Sequence, residues 1–269
     1  SAGIKIDQMS KMLDLSPSDR VLDIGCGNGR AAYFKRASCG PLVAIDAGDH
    51  YAAETVATVD LARGDIRRLP FATASFDKAY SLDVIEHLTE DGVEAMLSEA
   101  RRVLKPGGRL FLYSHVMMSS WLAQFQRKTT RLVHWLDRKG LVDNAPERER
   151  KSDHRNALTS YELLERLIDG AGFRIEDIRY YNVVFKAIFE DLLLPLVEHN
   201  VYGRKGKGKA PSTKSDASVE AGPAARPNVG TWAHGPLALA TALMKLDVIL
   251  FGRIRTGPFF LLLRSAETP

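Results

Sequence analysis

The chain has 269 residues, 45% of them apolar, which suits one domain carrying insertions better than two separate domains. Its two cysteines, Cys26 and Cys39, have neither metal-ligand spacing nor partners enough for a disulfide framework, so a reducing, cytoplasmic setting is expected. The net charge of +4 is carried by residues 200–231, where six lysines and arginines face only Asp216 and Glu220, so the basic pI does not mark the folded body as a nucleic-acid binder.

In chain order, residues 20–25 read as a short apolar strand and 28–38 as a helix that stops near Gly40-Pro41. Strands follow at 42–46, 59–65 and 76–82. Thr89 can cap a helix with Glu90 and Asp91 in its first turn, and Val93, Met96, Leu97, Ala100, Val103 and Leu104 recur at the spacing of one buried face. Pro106-Gly107-Gly108 is expected to stop it before a strand at 109–114. Thr159 and Glu162 form a capping-box pattern ahead of Leu163, Leu164, Leu167 and Ile168, and Gly172 closes that helix. Strands at 173–181 and 258–264 complete the series.

This alternation predicts an α/β fold with a mostly parallel sheet and helices on both faces. Two segments interrupt it. Residues 116–157 are helix-prone and hold Trp121, Phe125 and Trp135, and they read as a lid on the acceptor side. Residues 184–256 hold two amphipathic or apolar helices around a basic Gly/Lys/Pro/Ser-rich linker at 202–228 that composition marks as flexible. Neither helix suits a bilayer span, since the more apolar one, at 236–251, has sixteen residues and contains Lys245 and Asp247. Lying at an anionic membrane surface is compatible with Arg204, Lys205, Lys207 and Lys209.

The run Val21-Leu22-Asp23-Ile24-Gly25-Cys26-Gly27-Asn28-Gly29 puts glycines on the turn leaving the first strand. Glycine there permits positive φ and a close approach of backbone to ligand. Such a turn serves any adenosine cofactor, but Arg30 stands at the third glycine position of the dinucleotide pattern, which disfavours an NAD-dependent oxidoreductase. Asp46 ends the second strand, where a carboxylate can accept from both ribose hydroxyls. Asp65 closes the third, where it can take an adenine amino group while Ile66 faces the ring. Either aspartate alone could be a simple turn or cap residue; together, at consecutive strand ends, they point to a nucleoside.

These motifs, with Leu69-Pro70-Phe71, Phe76-Asp77, residues 81–88 and Leu104-Lys105-Pro106-Gly107-Gly108, resemble the class I S-adenosylmethionine-dependent methyltransferases. The likeness is strongest to the broad group that includes ubiquinone-pathway O-methyltransferases. It implies a Rossmann-like seven-stranded sheet with an antiparallel seventh strand. The implied cofactor contacts are Asp23, Gly25, Cys26 and Gly27, with Leu82 and Asp83 flanking the sulfonium end. It also implies methyl transfer at oxygen, while the helices and basic linker of the inserted segments point to a small or amphipathic, lipid-like acceptor.

His87 is the candidate general base for an acceptor that enters protonated, the other reading being a capping or packing histidine. Asp83, Glu86 and His87, with His154 as a fourth ligand, resemble the divalent-cation cluster of some relatives and would suit a hard or borderline ion. No metal is nevertheless expected. Two rival functions stay open on sequence: an RNA methyltransferase, disfavoured because the folded body has no basic face with interleaved aromatics, and a non-catalytic S-adenosylmethionine-binding regulator.

Overall fold

Apolar residues alternate along the strands so that successive side chains enter opposite layers, and each layer is closed by its own helices. The computed structural model describes residues 2–115, 158, 160–180 and 258–267, with single positions between 131 and 139 and between 242 and 253. In order, the elements are α1 (Ala2–Leu13), β1 (Val21–Ile24), α2 (Arg30–Lys35), β2 (Leu42–Asp46), α3 (Ala53–Val56), β3 (Asp60–Arg63), β4 (Phe76–Leu82), α4 (Glu90–Val103), β5 (Leu104–His115), α5 (Tyr161–Gly170), β6 (Phe173–Tyr180) and β7 (Pro258–Ser265).

The seven strands lie in the order β3-β2-β1-β4-β5-β7-β6. β1 pairs in parallel with β2 and β4, β2 with β3, and β4 with β5. The last strand in sequence runs antiparallel between β5 and β6. This is the expected Rossmann-like sheet with its antiparallel seventh strand. Strand order reverses about β1, whose carboxyl end faces the β1–β4 gap where ligands gather in open α/β sheets.

Two apolar cores flank the sheet. On one face Leu22, Ile24, Leu110, Leu112, Leu261 and Leu263 pack under α4 and α5. On the other, Val21, Tyr80, Phe111, Tyr113, Phe260 and Leu262 pack under α1 and α2. Asp23 shares the second face with Val21, so its carboxyl points into a layer otherwise built from hydrocarbon.

The helix cap at Thr89 forms as expected, with its hydroxyl accepting the Gly92 N–H. Several boundaries differ, with α2 and β3 shorter than the pattern gives, and two helices, α1 and α3, have no counterpart in it. α1 was not anticipated from the pattern, although it buries Ile4, Met9, Met12 and Leu13. β5 begins at Leu104, directly after α4, so Pro106-Gly107-Gly108 lies within the strand. The mismatch is absorbed as a bulge, with Phe76 opposite Leu104 but Lys78 opposite Arg109 and Gly107 at φ 72°. Ser160, rather than Thr159, caps α5 by accepting the Leu163 N–H, and the helix ends at Gly170, with Gly172 following at φ 77°.

Of the expected lid at 116–157 only Arg131, Trp135, Arg138 and Lys139 are described, the first three helical and Trp135 48% exposed, while the linker at 202–228 and most of 184–256 fall outside the described residues. Described positions Ala242, Leu246 and Val248–Leu250 are helical, and Val248 is buried in the α1-side core. No helix among the described residues is long and apolar enough to cross a membrane.

Candidate functional site

The turn after β1 is built for close approach. Gly25, Gly27 and Gly29 all have positive φ, at 76°, 54° and 73°. The Gly25 and Cys26 N–H groups both donate to the Ile45 carbonyl, which ties the turn to β2. A Cβ at Gly25 would stand 2.5 Å from Val84 Cγ2, so the turn after β1 is packed against the loop leaving β4. At Gly27 a Cβ would meet nothing within 4 Å, and the backbone there borders open space.

Asp46 has two tasks at once. Its Oδ2 accepts the Gly27 N–H at 2.7 Å and its Oδ1 accepts the Gly48 N–H at 2.8 Å. An ionised carboxylate has about four acceptor sites, so roughly two remain for a pair of hydroxyls. The residue that would read a ribose therefore also fixes the glycine turn. Arg30, at the departure from the dinucleotide pattern, is spent on Glu54 of α3.

Asp23 is 1% exposed. Burial, eased by the Tyr80 hydroxyl and reinforced by the Asp46 carboxylate, pushes its carboxyl up to about 7. Strand pairing sets Asp23 opposite Tyr80, itself fully buried. The hydroxyl lies close enough to favour the carboxylate, but neither Asp23 Oδ2 nor Tyr80 Oη makes a hydrogen bond of full geometry among the described residues. Desolvation by the same layer also drives the Cys26 thiol well above its ordinary range, leaving it an inert neighbour.

Asp65 lies just past β3 and is largely clasped by Arg67. Its carboxylate accepts the Arg67 backbone N–H at 2.9 Å, Nε at 2.9 Å and Nη2 at 2.7 Å, and this clasp holds the carboxyl at about 2. Ile66 is half-buried against the α4-side core. The loop is anchored beyond that point, since Glu99 of α4 accepts the Leu69 N–H while Arg102 donates to the Leu69 and Phe71 carbonyls.

The segment after β4 is joined by a residue that no motif singles out. Lys5 of α1 reaches both Asp83 oxygens, at 2.7 and 2.6 Å, and sits 4.3 Å from the centre of the Tyr113 ring. Asp83 adopts φ 57°, a left-handed conformation that aspartate tolerates better than most residues. Leu82 is half-buried and packs on the α1-side core. Glu86 is 2% exposed and accepts the Ser114 hydroxyl at 2.8 Å. Burial, with the Asp83 charge adding to it, raises its carboxyl above the usual range. His87 is half-buried at the end of a single 3-10 turn. Asp83 thus faces Lys5 and Glu86 faces Ser114, and no cation-binding group of three or more such side chains occurs among the described residues. His154 lies outside them.

Residues 22–112 match a family model described as a methyltransferase domain. The 27-O-demethylrifamycin SV methyltransferase of Amycolatopsis mediterranei is 33% identical over 125 residues, 42% of this chain and 45% of that protein. The sterol 24-C-methyltransferase of Pneumocystis carinii is 33% identical over 113 residues, 38% of this chain and 29% of that protein. The chain therefore spans less than half the length of these curated relatives. Among solved structures, phosphoethanolamine N-methyltransferase 2 of Haemonchus contortus in complex with S-adenosyl-L-methionine superposes with a TM-score of 0.58 at 17% identity, covering 98% of this chain and 52% of that one.

Proposed function

From the premise that this chain carries a class I S-adenosylmethionine-dependent methyltransferase domain, we propose that it transfers the methyl group of that cofactor to oxygen on a small or amphipathic, lipid-like acceptor. The observation that carries the reading is the convergence of Asp23, the Gly25–Gly27–Gly29 turn and Asp46 at the carboxyl ends of β1 and β2, with Asp65 following β3.

The donor set fits the cofactor part by part. Asp23 Oδ2 is a buried acceptor that an ammonium group would satisfy. Asp46 retains acceptor capacity for the ribose hydroxyls, and Gly27 leaves room beside the backbone. Asp65 would accept the adenine amino group by giving up part of the Arg67 clasp, with Ile66 against the ring. Gly25, Cys26, Leu82 and Asp83 would border the methionine and sulfonium end. The cofactor supplies an activated methyl group, so the protein chiefly has to align the acceptor and exclude water. His87 would accept the acceptor's proton where that acceptor is not already ionised.

The acceptor class rests on the sequence of the two inserted segments and on the family likeness. The curated relatives support a methyltransferase, but their names specify different acceptors. The deciding experiment incubates cell extract with labelled S-adenosylmethionine and the protein, then identifies the labelled product. Label in a small or lipid-like molecule supports the reading. Label confined to RNA, or tight cofactor binding with no S-adenosylhomocysteine formed, would replace it.

A further inference from the structure

Asp23 and Tyr80 form a buried pair that the cofactor contacts alone do not explain. They stand directly opposite each other on β1 and β4, on the sheet face covered by α1 and α2. Their surroundings include Val21 and Ala44, and among the described residues the side chains that act on the carboxylate are Tyr80 and Asp46, neither of them a cation. The charged and titratable groups facing Asp23 are Tyr80 from β4, Asp46 from β2 and Cys26 from the turn, with Cys39 beyond Tyr80. From α1, Lys5 is turned to Asp83 and Asp7 is paired with Lys11. An ionised Asp23 therefore meets hydrocarbon, a second carboxylate and one hydroxyl. In such a layer the neutral acid is favoured.

We propose that Asp23, buried with an unsatisfied oxygen opposite the Tyr80 hydroxyl, holds a proton in the free protein and releases it to solvent when the cofactor's ammonium group arrives, and that Tyr80 is the positioning residue that tunes this exchange. The inference rests on the placement of the cofactor's methionine end at Asp23 given above. The neutral acid can donate locally, but only the carboxylate can pair with an ammonium, so binding selects the ionised form. Tyr80 acts through Asp23, because a phenol O–H near the carboxylate favours its charged state. Without that hydroxyl, deprotonation is harder and the exchange moves to higher pH.

By proton linkage, cofactor affinity weakens below the pH at which free Asp23 ionises, and it falls again at alkaline pH where the cofactor's own ammonium loses its proton. The expected slope is about tenfold in Kd per pH unit on the acid side, since one proton is exchanged.

Two measurements test this. Carboxyl-carbon NMR of the free protein follows Asp23 directly, with Asp23→Asn assigning the signal. Titration near neutrality is expected, and titration in the ordinary aspartate range overturns the proposal whatever the cofactor does. Calorimetry with S-adenosylhomocysteine, in two buffers of different ionisation heat across pH 6–9, then counts protons. Release of most of one proton at pH 6, fading at higher pH, is expected. Tyr80→Phe should shift both the NMR midpoint and the break in Kd upward in pH, while Tyr80→Phe with an unmoved break would remove Tyr80 from the role. Tight binding without proton release at any pH overturns the proposal and leaves the cofactor assignment standing. No binding at any pH, by a protein whose circular dichroism shows it folded, overturns the cofactor assignment and the proposal with it.

Discussion

Lys5 and Asp83, 78 positions apart, are joined by a two-oxygen ion pair that fastens α1 to the loop leaving β4. The lysine is the more buried partner, with 13% of its side chain exposed against 40% for the aspartate, and its ammonium also lies over the Tyr113 ring. α1 is therefore part of the site's wall as well as a cover for the core. Replacing Lys5 by methionine keeps the aliphatic stem and removes the charge. We expect a loss of about 1 kcal/mol in urea unfolding, in the range of partly exposed pairs, together with weaker S-adenosylhomocysteine binding. Unchanged cofactor affinity would confine the pair to a structural role.

Gly25→Ala should be severe because two costs coincide. The new Cβ meets Val84 at 2.5 Å, and φ 76° disfavours any L-residue. Each contributes roughly 1–3 kcal/mol. Trimming the neighbour in a Gly25→Ala/Val84→Ala double variant should recover the steric part and leave the backbone part. Thermal unfolding of the single and double variants separates the two.

Asp46→Asn keeps the size of the side chain but leaves one acceptor oxygen where two N–H groups now arrive. Losing a hydrogen bond to a charged acceptor costs about 1.5–3 kcal/mol. Cofactor Kd should rise by about tenfold to a hundredfold, read by calorimetry, with exchange protection at the Gly27 and Gly48 amides falling in parallel. A rise in Kd with both amides still protected would mean that the glycine turn does not depend on this carboxylate.

Glu99 gives an acid-side prediction. Arg102 beside it, together with the Leu69 N–H, lowers its carboxyl below the ordinary 4.5 despite partial burial. A depressed folded-state value means the unfolded chain binds the proton more readily. The stabilisation is therefore complete above about 4.5 and is lost as pH falls through the lower folded value. Urea midpoints from pH 7 to pH 3 should show a steeper acid decline in the wild type than in Glu99→Gln. Parallel curves would show that Glu99 does not drive it.

His87→Ala should lower kcat by about 10²–10⁴ if the histidine takes the acceptor's proton, with cofactor affinity unchanged. A fall of less than tenfold, alongside a lowered Tm, would return His87 to packing.

Much of this molecule was legible from local chemistry. Periodicity located β2 and β4 to the residue, with Asp46 ending β2 and Gly25 directly after β1 as the pattern required, whereas β3 stops at Arg63 and leaves Asp65 two residues beyond it. What escaped is non-local. Nothing in the neighbourhood of Lys5 announces Asp83, and Tyr80 reads as an ordinary apolar position in β4 until pairing sets it opposite Asp23. The Arg67 clasp on Asp65 lies two residues away and was still missed, because spacing alone does not say which donors a carboxylate prefers. α1 lacks the acidic first turn that marks α4 and α5, and its role lies in what it covers.

The seat of β7 has a consequence for how the chain is made. Five strands of the sheet are complete once residue 115 has emerged from a ribosome, but β6 can dock only through β7, which starts at Pro258. At ordinary synthesis rates that leaves about 7–30 s in which the edge of β5 stands open and β6 has no sheet to join. Such an edge can recruit foreign strands, so the nascent chain is at greatest risk of aggregation in this interval, and a chaperone would be of most use then.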